Sequence, residues 1–173
     1  MNMRIPLVAA ATLALAACAS TPMGDSAATA TLSARSGSNV AGALQVMPMG
    51  DGVHVMGVIS GLTANKTHAF HIHEKGDCSA ADASSAGGHF NPTSQPHGNA
   101  QGGGAHHLGD QANLSADAGG TAKVNAHFRG VTLGDGGAND VMGKAIVVHA
   151  DADDYTSQPS GHAGGRIACG GIR

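Results

Sequence analysis

The sequence has little of what several common classes of protein depend on. It has no tryptophan, one tyrosine and three phenylalanines in 173 residues, so few large rings are available to fill a core. Charged residues make up 12% of the chain, and the formal net charge is −3. That balance excludes the basic surface of a typical nucleic-acid-binding protein. We therefore expect no nucleic-acid partner.

Glycine is abundant instead, with 27 residues, and no stretch has the pattern of a convincing helix. Short apolar runs separated by turn residues predict strands, and Gly50-Asp51-Gly52 is typical of a hairpin turn. The predicted strands are 27–35, 41–48, 52–60, 68–74, 112–116, 121–129, 143–149 and 165–170. We predict one all-β domain, a sandwich or barrel, with long irregular loops at 75–110 and 150–164.

The N-terminus has the features of an export signal. Arg4 precedes an apolar run of small residues at 5–17, which is too short to remain in a bilayer as a spanning helix. The sequence LAAC at 15–18 resembles the bacterial lipoprotein box, in which the cysteine is acylated and becomes the mature N-terminus. An ordinary secretory signal cleaved near Ala19 is the alternative.

These features predict a lipoprotein signal at 1–18, a flexible tether at 19–26 and a folded domain at 27–173. We expect the mature protein in the periplasm or cell envelope. A lipid on Cys18 would be its only membrane attachment. Ala19 rather than aspartate follows that cysteine, which favours the outer membrane.

Histidine is the most unusual component: the chain has 11, against 9 lysines and arginines together. In the segment HAFHIHEKGD, His71 and His73 alternate along a predicted strand, so both rings point to the same face. Two rigidly held imidazoles form half of a transition-metal site. Taken alone, however, the pair is more often a polar surface feature.

The loop at 75–110 adds further candidate ligands, because it contains His89, His97, His107 and Asp110. Loops this long are usually functional or disordered, and a bound metal ion offsets the entropy cost of ordering one. His149 follows an apolar strand and so projects from a rigid element. Together these residues exceed the needs of one tetrahedral ion, which predicts two neighbouring ions.

The segments HAFHIHEKGD, AGGHFNP, PHG, HLGD, VVHADADD and AGGRIACG follow one another in the order found in copper,zinc superoxide dismutases. The chain resembles that family over residues 27–172. The resemblance implies an eight-stranded antiparallel Greek-key β-barrel of the immunoglobulin-like sandwich type. It also implies dismutation of superoxide, with one copper and one zinc ion per subunit. Dimer contacts differ between branches of the family, so the oligomeric state does not carry over, and both a monomer and a homodimer stay open.

The resemblance assigns a role to each candidate residue. The implied copper ligands are His71, His73, His89 and His149. The implied zinc ligands are His89, His97, His107 and Asp110, with His89 bridging the two ions. These donor types suit the metals, since imidazoles bind copper well and zinc accepts three histidines and one aspartate tetrahedrally.

Other residues match positions around the metals. Asp153 matches a carboxylate that orients one histidine of each ion, and His68 matches a residue that braces the copper-side loop. Arg166 matches the arginine that, with His89, acts on the substrate beside copper. Cys78 and Cys169 match the family's disulfide, and export to an oxidising compartment favours that pair once Cys18 is assigned to lipid.

Several alternatives stay open at this stage. His106 could replace its neighbour His107 as a zinc ligand, while four further residues read as surface or turn positions: His54, His127, His162 and Asp154. Pro159 and Ser160 stand where many animal relatives have a lysine and a threonine, so the usual steering lysine is absent and Lys75 is a candidate substitute. Two rival functions are a non-catalytic metal-binding lipoprotein on the same scaffold and a structural surface protein.

Overall fold

The computed structural model describes residues 27–173 together with Met1. The predicted signal, Cys18 and the tether therefore lie outside the described residues, apart from Met1. One short 3-10 helix, Ser84–Ala86, accompanies nine strands. The strands are β1 Ala28–Ala34, β2 Ala41–Met49, β3 Gly52–Ser60, β4 Thr67–His68, β5 Phe70–His73, β6 Leu114–Ser115, β7 Ala122–Arg129, β8 Ala145–His149 and β9 Arg166–Gly171. In this part of the chain, no helix has the length and apolar character needed to cross a membrane.

The strands curl into an antiparallel barrel. Seven of them form one sheet in the order β5-β8-β9-β1-β2-β3-β7, and β4 pairs with β6. β6 in turn lies against β7, which brings the two ends of the sheet together. The predicted all-β Greek-key barrel is confirmed.

The structure has nine strands rather than the predicted eight because one predicted strand is interrupted at Ala69. The Ala69 N–H donates to Asp151 O at 2.8 Å, and its carbonyl accepts from His149 N at 2.9 Å. Before this residue β4 pairs with β6, and after it β5 pairs with β8. Residues 67–73 thus pass from the wall that contains β2, β3, β7, β6 and β4 to the wall formed by β5, β8 and β9, and β1 joins the two walls.

The two walls differ in how their outer faces are covered. In β1 and β7 buried and exposed residues alternate, as expected for strands with one face in solvent. Every residue of β5 and β8 is buried. Part of the cover is a small apolar cluster in which Ala83 and Ala86, from the long loop, pack on Ala145 and Val147 of β8.

The main core lies between the walls and uses all three phenylalanines. Phe70, Phe90 and Phe128 are buried, and the rings of Phe70 and Phe128 lie 5.8 Å apart. A disulfide between Cys78 and Cys169, with a Cα–Cα distance of 5.7 Å, ties the long loop to β9. The long loop after β5 is therefore held against the wall formed by β5, β8 and β9.

Candidate metal centre

Two strands and one loop bring four histidines together on that wall. His71 and His73 lie on β5, and His149 ends β8, where the pairing with β9 shifts register. His89 reaches them because its loop bridges back to His73 and because Phe90 N donates to Ile72 O at 2.8 Å. The His71 and His89 ring centroids are 4.0 Å apart.

Three of these rings donate a hydrogen bond away from the others. His71 Nε2 donates to Asp153 Oδ2 at 2.8 Å, and His73 Nδ1 donates to the Gly87 carbonyl at 3.0 Å. His149 Nδ1 lies 3.4 Å from Gly164 O. Each donation fixes the tautomer, so the other nitrogen of each ring carries a lone pair.

These lone pairs converge. One nitrogen from each of His71, His73, His89 and His149 lies within 4.8 Å of the others. Nε2 of His73 and Nε2 of His149 are 3.3 Å apart, while His71 Nδ1 and His89 Nε2 have no hydrogen-bond partner. Buried nitrogen lone pairs that face one another are unfavourable without a cation, so this cluster fits a copper ion.

A second cluster is centred on Asp110. Its Oδ1 lies 2.8 Å from His89 Nδ1, 3.0 Å from His97 Nδ1 and 3.3 Å from His107 Nδ1. Its Oδ2 accepts the backbone N–H groups of His107 and Gly98. Three imidazoles and one carboxylate, all buried, form a donor set suited to tetrahedral zinc. His89 belongs to both clusters, with one ring nitrogen in each.

Asp153 links the two clusters because it accepts a hydrogen bond from one histidine of each. One comes from His71, and the other comes from His97 Nε2, which lies 2.9 Å from Asp153 Oδ1. Asn113 fixes its backbone on both sides: Asn113 Oδ1 accepts Asp153 N at 2.8 Å, and Asn113 Nδ2 donates to Asp153 O at 2.9 Å. A Cβ at Gly161, where φ is +68°, would overlap Asp153 Oδ1.

The electrostatics favour neutral rings in the first cluster. Burial, reinforced by the neighbouring histidines, lowers the pKa of His149 to about 3. Burial also lowers the pKa of His89 to about 4, against the opposing hydrogen bond to Asp110. Since a metal ligand must present an unprotonated nitrogen, these rings are prepared to bind an ion at neutral pH.

His97 behaves in the opposite way. Burial alone would lower its pKa, but hydrogen bonds to Asp110 and Asp153 outweigh burial and raise the pKa to about 9. Burial would raise the pKa of the carboxyls of Asp110 and Asp153. Hydrogen bonds from histidines outweigh it and hold both pKa values below the usual range, with His107 the main contributor at Asp110 and His71 at Asp153. Both aspartates are therefore ionised and available to neutralise a cation.

Arg166 begins β9 and lines an open groove beside the first cluster. The groove has a volume of about 570 Å³ and is also lined by His73, His89, His149 and Ser160. Arg166 Nη1 donates to Ala83 O and Nη2 donates to Gly87 O, both at 2.7 Å. The guanidinium is thus held rigidly at the groove by the loop that carries the disulfide.

Three other candidate residues from the sequence, His68, His106 and Lys75, lie outside the two clusters. His68 Nδ1 donates to the backbone carbonyl of His149 at 2.9 Å, so His68 contacts the strand end that carries a copper-ligand candidate. His106 bonds to Gly104 O at 2.7 Å and belongs to neither cluster. Lys75 lines an adjoining groove with Lys144 rather than the groove of Arg166. The sequence gives no signal for the roles of Asn113, Gly87 and Gly161, because each role depends on a contact with a residue distant in the chain.

The comparisons with known proteins agree with this geometry. The family model for copper/zinc superoxide dismutase matches residues 40–172. The chain belongs to the copper/zinc superoxide dismutase family. Superoxide dismutase [Cu-Zn] 2 of Aquifex aeolicus is 41% identical over 139 residues, which cover 78% of this chain and 80% of that protein. Copper and zinc are the metals of the family, and the two clusters suit them.

Two further similarities are to proteins described only as dismutase-like. The superoxide dismutase-like protein YojM of Bacillus subtilis is 42% identical over 108 residues, which cover 60% of this chain and 54% of that protein. A crystal structure of a superoxide dismutase-like protein from Bacillus subtilis matches with a TM-score of 0.73 and 35% identity, covering 82% of this chain and 95% of the other. Membership of the family and turnover of superoxide are thus separate questions.

Proposed function

We propose that this protein dismutates superoxide to molecular oxygen and hydrogen peroxide. Its copper would be held by His71, His73, His89 and His149, and its zinc by His89, His97, His107 and Asp110. The observation that supports this most directly is His89, whose single ring offers Nε2 to one cluster and Nδ1 to the other. A chain that only stored metal would not need one imidazole shared between two sites.

When bound, copper would supply the one-electron redox chemistry that dismutation requires, and zinc would supply charge and rigidity beside it. The chain's own residues have simpler tasks. Arg166, at the groove, binds the small anion through charge-assisted hydrogen bonds. His89 lines the same groove, and its Nε2, which has no hydrogen-bond partner, is an atom at which the chain can hold a proton for the peroxide product. Asp153 keeps His71 and His97 oriented.

The second candidate is a metal-binding protein without turnover. Two observations favour it: Pro159 and Ser160 stand where a steering lysine is common, and dismutase-like relatives exist. Against it, the full set of candidate ligands is present, and Arg166 lines the groove.

Metal analysis together with a rate measurement separates the two candidates. The purified protein should contain one copper and one zinc ion per chain and should show cyanide-sensitive dismutation. The His149→Ala variant, which lacks one nitrogen of the first cluster only, should lose copper and activity but keep zinc. Full metal content without activity in the unaltered protein would favour the metal-binding candidate.

We also propose that the chain is a lipoprotein anchored to the outer membrane from the periplasmic side through Cys18, as the LAAC segment indicates. Labelling cells with a radioactive fatty acid should mark the wild type but not Cys18→Ser, and the variant should no longer partition with membranes. A wild-type protein without label would contradict the lipid anchor.

A further inference from the structure

The outer face of the sheet formed by β2, β3 and β7 carries one methionine and two histidines side by side on neighbouring strands. Met47 on β2 lies opposite His54 on β3, and His54 lies opposite His127 on β7. Their neighbours Val46, Val53 and Ala126 are buried and alternate with them, so the three side chains share the solvent face. The His54 and His127 rings are 6.3 Å apart and inclined by 32°.

In each of the two rings in this row, one nitrogen has no hydrogen-bond partner. His54 Nδ1 and His127 Nδ1 are shielded from solvent and have no partner. His127 Nε2 donates to Asp51 Oδ1 at 2.7 Å, and Arg129 donates to the other oxygen of Asp51 at 2.7 Å. A carboxylate held in this way fixes the proton on Nε2, so His127 Nδ1 presents a lone pair. Metal-binding histidines show the same carboxylate support.

The strand register places methionines on the same face as the two histidines. Met56 follows His54 by two residues and shares its face, with 36% of the residue exposed, and Met49 lies nearby on β2, 49% exposed. Diagonal neighbours on adjacent strands are about 7–8 Å apart, within reach of long side chains. Methionine is flexible and polarizable, so these side chains can move aside and close over an ion. Thioether sulfur selects copper(I) over zinc.

We propose that the outer face of β2, β3 and β7 holds a second, surface copper site that binds copper(I) through His54, His127, Met47 and Met56. This outer-face site lies on a different wall from the buried clusters and shares no residue with them. It needs neither dismutase turnover nor the assignment of the buried ligands. The site would hold a soft cation, copper(I), in exchangeable form at the surface.

The test counts copper(I) ions on the metal-loaded protein. All samples carry Cys18→Ser, since a free thiol would itself bind copper(I). Protein already holding its buried ions is titrated without oxygen, using the cuprous acetonitrile complex in competition with a coloured copper(I) chelator. We expect one additional ion per chain. In His54→Gln/His127→Gln, affinity for that ion should fall at least tenfold, and Met56→Leu should weaken it less.

Met142→Leu is the matched control, because Met142 is also 36% exposed but lies outside this face. It should leave the additional ion unchanged, and circular dichroism should show that all variants are folded. Histidine ring resonances in NMR spectra should shift for His54 and His127 as the ion binds. Absence of an additional ion, or its retention in the double variant, overturns the proposal. Equal binding of zinc with no effect of Met56→Leu overturns the assignment to copper(I).

Discussion

His71 and His97 belong to different metal clusters but donate to opposite oxygens of one carboxylate. Nε2 of His71 lies 2.8 Å from Asp153 Oδ2, and Nε2 of His97 lies 2.9 Å from Asp153 Oδ1. The two sites are therefore joined twice, through the shared ring of His89 and through the carboxylate of Asp153. A substitution at either residue should change metal binding at both sites.

The first prediction concerns Asp153, which joins the two sites through its carboxylate. Asp153→Asn leaves one oxygen that can accept, and turns an amide N–H₂ towards the other histidine. One of the two rings then loses its orientation, and loss of such support typically weakens metal binding about 10–100-fold. Competition with chelators should show weaker copper and zinc binding together. If both affinities match those of the wild type, Asp153 does not orient the ligands.

The second prediction concerns His89, whose ring belongs to both clusters. His89→Ala removes a nitrogen from each cluster, so metal analysis should show loss of both copper and zinc. His107→Ala should mainly lower zinc, because His107 belongs only to the second cluster. His106→Ala is the matched control: it alters the adjacent histidine, which is in neither cluster, and should leave both metals in place. Full retention of both ions in His89→Ala would refute the shared ring.

The third prediction concerns Arg166. Arg166→Ala should keep both metals but slow dismutation at least tenfold, about 1.4 kcal/mol in activation free energy. Its rate should also depend less steeply on ionic strength, because a smaller attraction remains to be screened. Arg166→Lys should be intermediate, since a single ammonium group lacks the fork that reaches both Ala83 O and Gly87 O. Rates at several salt concentrations on metal-analysed samples decide this.

An unchanged rate and salt dependence in Arg166→Ala would mean that other cations capture the anion. Lys75 and Lys144 would then be the residues to test, since both line the adjoining groove with His89. Lys144 is also held over the Phe90 ring at 5.2 Å from its centroid.

Backbone geometry predicts only two pairs within the ligand clusters from their spacing in the sequence. The grouping of the ligands into two clusters that share His89 was implied by the resemblance to the family. Alternation places His71 and His73 on one face of β5, and the turn between His107 and Asp110 is short enough for both to face one point. The strands are predicted to within about two residues at most ends because apolar alternation is a local signal. One exception is the break at Ala69, which depends on a carbonyl and an N–H of the distant residues 149–151.

The supports of the ligands cannot be predicted in this way. Gly87 matters through its carbonyl, which accepts from His73 and Arg166. Asn113 matters because it lies beside Asp153 only after the barrel has closed. Gly161 matters because its missing Cβ leaves room for a carboxylate. Such contacts join distant parts of the chain, and no local pattern of residue types records them.

The fourth prediction concerns the disulfide. Replacing Cys78 and Cys169 together by alanine should lower the free energy of unfolding by about 4–5 kcal/mol for a loop of this length, in the chain-entropy estimate. The loop also supplies the carbonyls that hold Arg166, so the rate per bound copper should fall as well. Urea unfolding and kinetics on the same samples check both effects. A destabilised variant with an unchanged rate per copper would show that the disulfide does not help to position Arg166.

The last prediction concerns the metal-free protein and pH. The pKa of His149 is lowered to about 3 and that of His89 to about 4, whereas both are near 6.5 when unfolded. Between these values both rings are protonated in the unfolded chain but not in the folded one. The free energy of unfolding therefore falls as the pH drops from about 6.5 towards 4. Backbone hydrogen bonds to Asp140, which lower the pKa of its carboxyl despite burial, add a loss at still lower pH.

His97 acts in the other direction. Its pKa is raised to about 9, so its contribution is complete below about pH 6.5 and is lost as the pH rises through 9. Urea unfolding of the metal-free protein should therefore show greatest stability near neutrality, with losses on both sides. His97→Gln should remove the alkaline loss, while His162→Gln, which alters an exposed ring, should leave the profile unchanged. A metal-free protein more stable at pH 5 than at pH 7 would contradict the neutral state inferred for His89 and His149.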